Sequence, residues 1–573
     1  MQNEYARLKT KYSDEMDRVR PWQEYPRPSL VRDSYINLNG LWDFCISEQT
    51  PTVYTDSILV PFCPECELSG YGKEVKGNTP LHYRRIFTLP ENFKKDRVIL
   101  HFGAVDTIAE VWVNGKAVGT HEGGYLPFSF DVTDALADEN ELYIKVIDNL
   151  DKRYPYGKQT KNRGGMWYTP VSGIWQTVWL ESVCENYIEK IKITTDMKSA
   201  KISVLGGIEK KRLTLKDSCE VIEFTGDSVT VTPKDIRLWS PESPTLYHFT
   251  LESGEDKVES YFALREIGIG DFYGIKRLML NGEPYLFNGL LDQGYFPDGL
   301  FLPATARGYE DDILTAKSLG FNMLRKHIKV EPEIFYNLCD RLGIVVFQDM
   351  VNNSPYSFFF DTALPSVGIK RLPDKLRHRN VESRKIFRRD MEATIDHLHN
   401  FPSILYYTVF NEGWGQFCAD EMYRVAKECD GTRIIDATSG WFVRRLSDVD
   451  SRHVYFKPIK IKKPSPRPIV ISEFGGYSYR VTGHLFGKGN YGYSTYQERA
   501  EFEDAFIKLY EVEVASLLAK GVSALVYTQI SDVEDETNGI LTYDRAVLKV
   551  SADRTKSTMQ GLYNKFKEEA KAK

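Results

Sequence analysis

The sequence lacks the features that would take it out of the ordinary globular class. Its 8 cysteines, at positions 45, 63, 66, 184, 219, 339, 418 and 429 of 573 residues, have no disulfide-framework spacing. That excludes a small stapled fold and suits a reducing compartment. No run approaches 18 consecutive apolar residues, so no membrane-spanning helix is expected. The opening MQNEYARLKTKYSDEMDRVR has no apolar core, so no secretory leader is read there and a cytoplasmic location is expected. Charge of one sign is scarce: a formal net charge of −6 is small for this length and gives no footprint for nucleic acid or an anionic membrane. Cys63-Pro-Glu-Cys66 has the spacing of half a zinc site, but no second Cys or His pair lies at a suitable distance. No metal and no cofactor are therefore expected.

Aromatic residues, by contrast, are plentiful. They make up 13% of the chain, with 34 Tyr and 9 Trp, which suits flat-faced ligands such as pyranose rings as well as a large core. The length is too great for one domain. Residues 1–184 read as an all-β domain: LNGLWDFCI, LHYRRIFTL, RVILHFGAV, AEVWVNGKAV and ELYIKVID alternate in polarity between Gly, Asn, Asp and Pro clusters, as in a jelly-roll β-sandwich. Asn114-Gly115 signals a tight hairpin. Taken alone, this domain reads as scaffold. Residues 185–268 hold six or seven further short strands, which suits an immunoglobulin-like β-sandwich.

From 269 to 573 the pattern changes to alternating strand and helix. Strands are expected at 285–290, 321–326, 343–349, 403–410, 433–438, 452–456, 468–473 and 523–529, with helices between most of them. Eight such strands fit a (β/α)8 TIM barrel. An open doubly wound sheet is the alternative, but no Gly-rich phosphate loop follows the first strand. The Phe- and Pro-rich loop 350–380 is long enough to be a lid or a subsite wall.

The organising stretch is SILYYTVFNEGWG, residues 403–415. A continuous β-branched and aromatic run, the mark of a strand buried on both faces, leads straight into Asn411 and Glu412, with Trp414 reading as exposed. PIVISEFGGY, residues 468–477, repeats the layout with Glu473. A lone glutamate there could cap the next helix. Two carboxylates at two barrel-strand ends are what glycoside hydrolysis requires.

These motifs, with VWVNGKAVGTHEGGYLPFSFDVT, GIWQTVWLE, FALREIGI, LMLNGEPYLFNGLLDQGYFPDG, FNMLRKHIKVEP, CDRLGIVVFQD, FNEGWG and SEFGG, resemble glycoside hydrolase family 2, the family of β-galactosidases, β-glucuronidases and β-mannosidases. The resemblance covers nearly the whole chain. It implies that Glu412 is the general acid/base and Glu473 the nucleophile of a retaining exo-β-glycosidase, with Asn411 on the sugar 2-hydroxyl. It places Arg325 and His327 beside the nucleophile or the sugar; a loop salt bridge is the other use open to them. Asp292 matches a sugar-hydroxyl position or a helix N-cap, and Asp349 is either a site residue or half of a structural pair. Trp414, Trp441, His453, Tyr455 and Tyr477 follow strands and could face the sugar or pack in the core. Gln529 and Asp532 follow the last strand and could meet sugar or solvent.

Two departures bear on the substrate. The Asn-x-Lys triplet with which the family's glucuronidases hold the sugar carboxylate does not occur after residue 269, so a uronic acid should bind poorly unless another Arg or Lys substitutes. The Glu-x-His metal pair of the large β-galactosidases is replaced by QDMVNNSPY, so bound magnesium is not implied. A β-galactoside is therefore expected ahead of a β-glucuronide, β-mannoside or arabinoside. A non-catalytic carbohydrate-binding protein on a hydrolase scaffold is the rival from another class. The expected partner is a carbohydrate or glycoside, and a homo-oligomer is left open.

Overall fold

The computed structural model describes residues 8–75, 77–366 and 373–571. A six-stranded and a four-stranded antiparallel sheet, built from segments between Tyr35 and Val183, form the first sandwich. Strict alternation along Glu139–Ile147 buries Leu142, Ile144 and Val146 against Trp42, Tyr83 and Val111 and turns Glu141, Tyr143 and Lys145 to the other face. The Asn114-Gly115 hairpin has both residues at positive φ, the backbone that a two-residue turn between right-twisted strands requires. A three-stranded and a four-stranded sheet, from segments between Ile188 and Phe262, form the second sandwich over a core that includes Ile202, Leu213 and Phe249. Arg32 ties the two together, 3.1 Å from Glu181 and 2.9 Å from Asp256.

The third part is an eight-stranded parallel barrel: β1 (Phe287–Asp292), β2 (Met323–Lys326), β3 (Val345–Asp349), β4 (Ile404–Thr408), β5 (Ile434–Asp436), β6 (Asp450–Val454), β7 (Ile469–Gly475) and β8 (Val522–Thr528). The strands pair in order from β5 back to β1, then β8, β7 and β6. No backbone pairing joins β5 to β6; serine hydroxyls span that seam, with Ser439 Oγ 3.3 Å from Ser451 Oγ and 3.0 Å from Ser472 Oγ. Helices α1 (Arg307–Ser318), α2 (Glu333–Leu342), α3 (Val381–Leu398) and α4 (Ala419–Cys429) follow the first four strands, α5 (Arg499–Lys508) opens the helical run before β8, and α6 (Ala552–Lys571) ends the barrel. The alternation expected from sequence lapses after β5 and β6, where the links to the next strand are irregular. Of the loop 350–380, residues 367–372 lie outside the described residues.

The period of two that builds the barrel also aims the site. Met323 on β2 and Val345 and Phe347 on β3 fill the barrel interior, so Arg325 and Asp349, two residues further on, rise from that same interior at the carboxyl end. Tyr406 stacks on Phe347 with ring centroids 4.1 Å apart and forms the floor. No helix among the described residues is long and apolar enough to cross a membrane.

Candidate active site

Glu412 lies just beyond β4 and Glu473 near the end of β7. The nearest ligand atoms of Glu412, His453 and Glu473 all lie within 4.8 Å of one another. Glu412 has φ +51°, an uncommon conformation for a residue with a Cβ. Its neighbours enforce it: the Glu412 N–H donates to Ser439 O at 2.9 Å, and Trp441 Nε1–H donates to Glu412 O at 3.0 Å. His453 Nδ1 lies 2.7 Å from Glu412 Oε1, while its Nε2 is 2.9 Å from Ser439 Oγ. Burial pushes the Glu412 carboxyl up to about 7, with Lys158 and Arg325 opposing and Glu536 adding to the rise.

Glu473 is held from both sides. Arg325 Nη1 donates to its Oε1 at 3.0 Å and Tyr455 Oη to its Oε2 at 2.7 Å. Burial raises its pKa, and the charge of Glu412 adds to this; His453, Arg325 and the Tyr455 hydrogen bond act against it. Arg325 is 1% exposed and fully engaged: its other bonds reach Asp349 at 3.0 and 2.9 Å, Ser472 O at 2.9 Å and Asn411 Oδ1 at 2.9 Å. It therefore orients Glu473 and Asn411 and has no donor left for a ligand. With its oxygen occupied by Arg325, Asn411 leaves a buried Nδ2 without a partner. His327 Nδ1 sits 3.0 Å from Gln293 Oε1, and its unpartnered Nε2 lies 3.7 Å from Glu473 Oε1. Burial holds this imidazole well below its usual pKa, so it is neutral.

Not every residue singled out from sequence converges here. Asp292 turns away: Lys326 Nζ at 2.6 Å and the Gly294 N–H at 2.8 Å take its carboxylate into a buried cluster with Glu331 and Lys329. Asp349 is the structural partner of Arg325. Tyr477 packs edge-on against Tyr496 and Tyr527 and touches neither glutamate. Gln529 bonds to Gln293 and Asn538, reaching the site only through His327. Asp532 is tied to Lys549 at 2.6 Å. Trp414 is not exposed, as the Gly-flanked sequence suggested, but 1% exposed, stacked on Trp167 at 5.2 Å with Tyr356 edge-on at 5.2 Å. Its Nε1 is buried without a partner.

Trp167 belongs to the first sandwich, which is therefore more than scaffold. Its loop 154–168 covers the barrel mouth: Tyr168 Oη donates to Glu536, and Gly157, at φ +62°, leaves room for only 3.0 Å between a would-be Cβ and Ile328 O. Trp167 carries no sequence signal because its partner Trp414 lies far along the chain, and nothing in the local pattern marks Lys158. Glu412, His453 and Glu473 could in principle offer ligand atoms to a metal ion. Arg325 and Tyr455, however, already occupy both oxygens of Glu473.

A buried carboxyl and a largely buried one face each other at the carboxyl end of a parallel barrel, the second poised near neutrality, behind two β-sandwiches. This defines a modular barrel protein with a paired-carboxyl site at the barrel mouth. The description "Glycosyl hydrolases family 2, TIM barrel domain" matches residues 276–562, "Glycosyl hydrolases family 2" matches 185–265, and "Glycosyl hydrolase 2 galactose-binding domain-like" matches 64–181. The chain belongs to glycoside hydrolase family 2. A β-galactosidase of Thermoanaerobacter pseudethanolicus is 27% identical over 55% of this chain and 44% of its own length. A β-glucuronidase of Streptococcus agalactiae is 24% identical over 57% and 58%. The chain thus spans about half the length of the curated relatives it matches. The solved β-D-glucuronidase of Dictyoglomus thermophilum shares the fold, with a TM-score of 0.74 over 94% of this chain and 98% of that one at 18% identity.

Proposed function

We propose that this protein is a retaining exo-β-glycosidase that works through a glycosyl-enzyme intermediate. The observation that carries the reading is the approach of Glu412 and Glu473 to within 4.8 Å, the short separation of retaining rather than inverting carboxyl pairs, about 5–5.5 Å. Glu473, oriented by Arg325 and Tyr455, attacks the anomeric carbon while Glu412 gives its proton to the departing glycosidic oxygen. Forming the ester removes the charge on Glu473, so the pKa of Glu412 falls and it can take a proton from the attacking water. The unpartnered Nδ2 of Asn411 supports a role as donor to the sugar 2-hydroxyl. A purely sugar-binding role leaves unexplained why both carboxyls are so elaborately oriented.

The names of the relatives divide between galactosides and glucuronides and do not choose the sugar. We place the protein in the cytoplasm on its eight unpaired thiols. The test is a 2-deoxy-2-fluoro-β-glycoside with an activated leaving group: it should inactivate the enzyme with one sugar esterified to Glu473, found by peptide mass spectrometry. Glu473→Ala should abolish turnover. Inactivation with the label on another residue, or full activity in that variant, would overturn the mechanism.

A further inference from the structure

We propose that Lys158, reaching in from the first sandwich, is a specificity-determining residue that binds the carboxylate of an acidic sugar, so that the substrates are β-uronides. This rests on the glycosidase reading above. Ten Lys and Arg residues are buried among the described residues, and nine of them hold hydrogen bonds to carboxylates or carbonyls. Lys158 alone, 7% exposed, has neither an ion pair nor a hydrogen bond for its ammonium, which lies over the face of Tyr168, 5.3 Å from the ring centroid. Burying a cation without a counter-charge is costly, and a site keeps one where a ligand brings the anion. The Nζ is not among the buried side-chain atoms closed off without a partner, so it keeps contact with solvent.

Its position is fixed by neighbours on both sides. The Lys158 carbonyl accepts from the Tyr168 N–H at 3.0 Å, Tyr168 is anchored to Glu536 beyond β8, and Gly157 lies against Ile328 and Val351 beyond β2 and β3. The charge of Lys158 acts on Glu412 and on His327, whose Nε2 lies 3.7 Å from Glu473 Oε1. The other cations there, Arg325, Lys326 and Lys329, are spent on Asp349, Glu473, Asp292 and Glu331. Glu536 accepts from Tyr168 Oη and Asn538 Nδ2, and no ion pair joins it to Lys158 among the described residues. The barrel's missing Asn-x-Lys cation is thus replaced from another part of the chain.

The test compares 4-nitrophenyl β-D-glucuronide and β-D-galacturonide with the matching glucoside and galactoside. At least one uronide should be cleaved with higher kcat/KM than its neutral counterpart. Lys158→Gln should lower that uronide-to-neutral ratio roughly 10- to 100-fold, mainly through KM, the span of one charge-assisted hydrogen bond. Lys158→Arg should restore most of it. Which uronide is cleaved identifies the sugar. Preference for the neutral sugar in both pairs, or an equal loss on both classes in Lys158→Gln, overturns the proposal while leaving the glycosidase reading intact. Failure to cleave any of the four, with no fluoro-sugar label on Glu473, takes down both.

Discussion

At the scale of single residues, the site works by giving two like groups unlike surroundings. With its carboxyl near 7, Glu412 should set the alkaline limb of kcat/KM: activity falls as pH rises through about 7 and the acid is lost. Glu412→Gln should erase that limb and abolish turnover of poor leaving groups, while the first step with a dinitrophenyl glycoside survives, seen as a burst in stopped flow. Tyr455→Phe removes a hydrogen bond that lowers the pKa of Glu473. Its acid limb should therefore move to higher pH, with kcat down about tenfold, the worth of one hydrogen bond to a charged group; an unmoved limb in a pH–rate profile would show that Tyr455 does not hold the charge.

At the scale of elements, much of the site was legible because strand ends are legible. Continuous apolar runs fixed β4 and β7 in the sequence, and the residues on which they end were therefore candidates: Glu412, Asn411, Glu473, and by the same logic Arg325 on β2. Side chains whose partners lie elsewhere were not legible. Asp292 ends β1 but is captured by Lys326 on the neighbouring strand, and Trp414 sits between glycines yet is sealed by Trp167 from the first sandwich. The connection after β5 shows how an irregular segment can matter: at Gly440, with φ +89°, an added Cβ would come within 2.7 Å of the His453 ring. Gly440→Ala should displace His453 from Glu412 and cut kcat at least tenfold in a chain that still folds; unchanged kcat by steady-state assay would exclude that coupling.

At the scale of the whole molecule, burial of acids ties stability to pH. Burial raises Glu65 to about 8 and Asp340, Glu333 and Glu534 to about 7. Each then holds its proton more tightly folded than unfolded, so its contribution is complete below the unfolded carboxyl pKa near 4 and is lost as pH rises through the folded value. The Tm measured by calorimetry should fall between pH 6 and pH 8.5; a rise would show that other groups govern the window.

The loop 154–168 has a consequence for descent as well as for binding. Both glutamates lie on the barrel, while the charge proposed to choose the sugar lies in a segment that could be exchanged as a module. Recombination, or drift in that loop alone, could therefore turn a uronide specialist into one for neutral sugars without altering a single residue of the hydrolytic machinery. Mechanism and preference would be inherited separately within one chain.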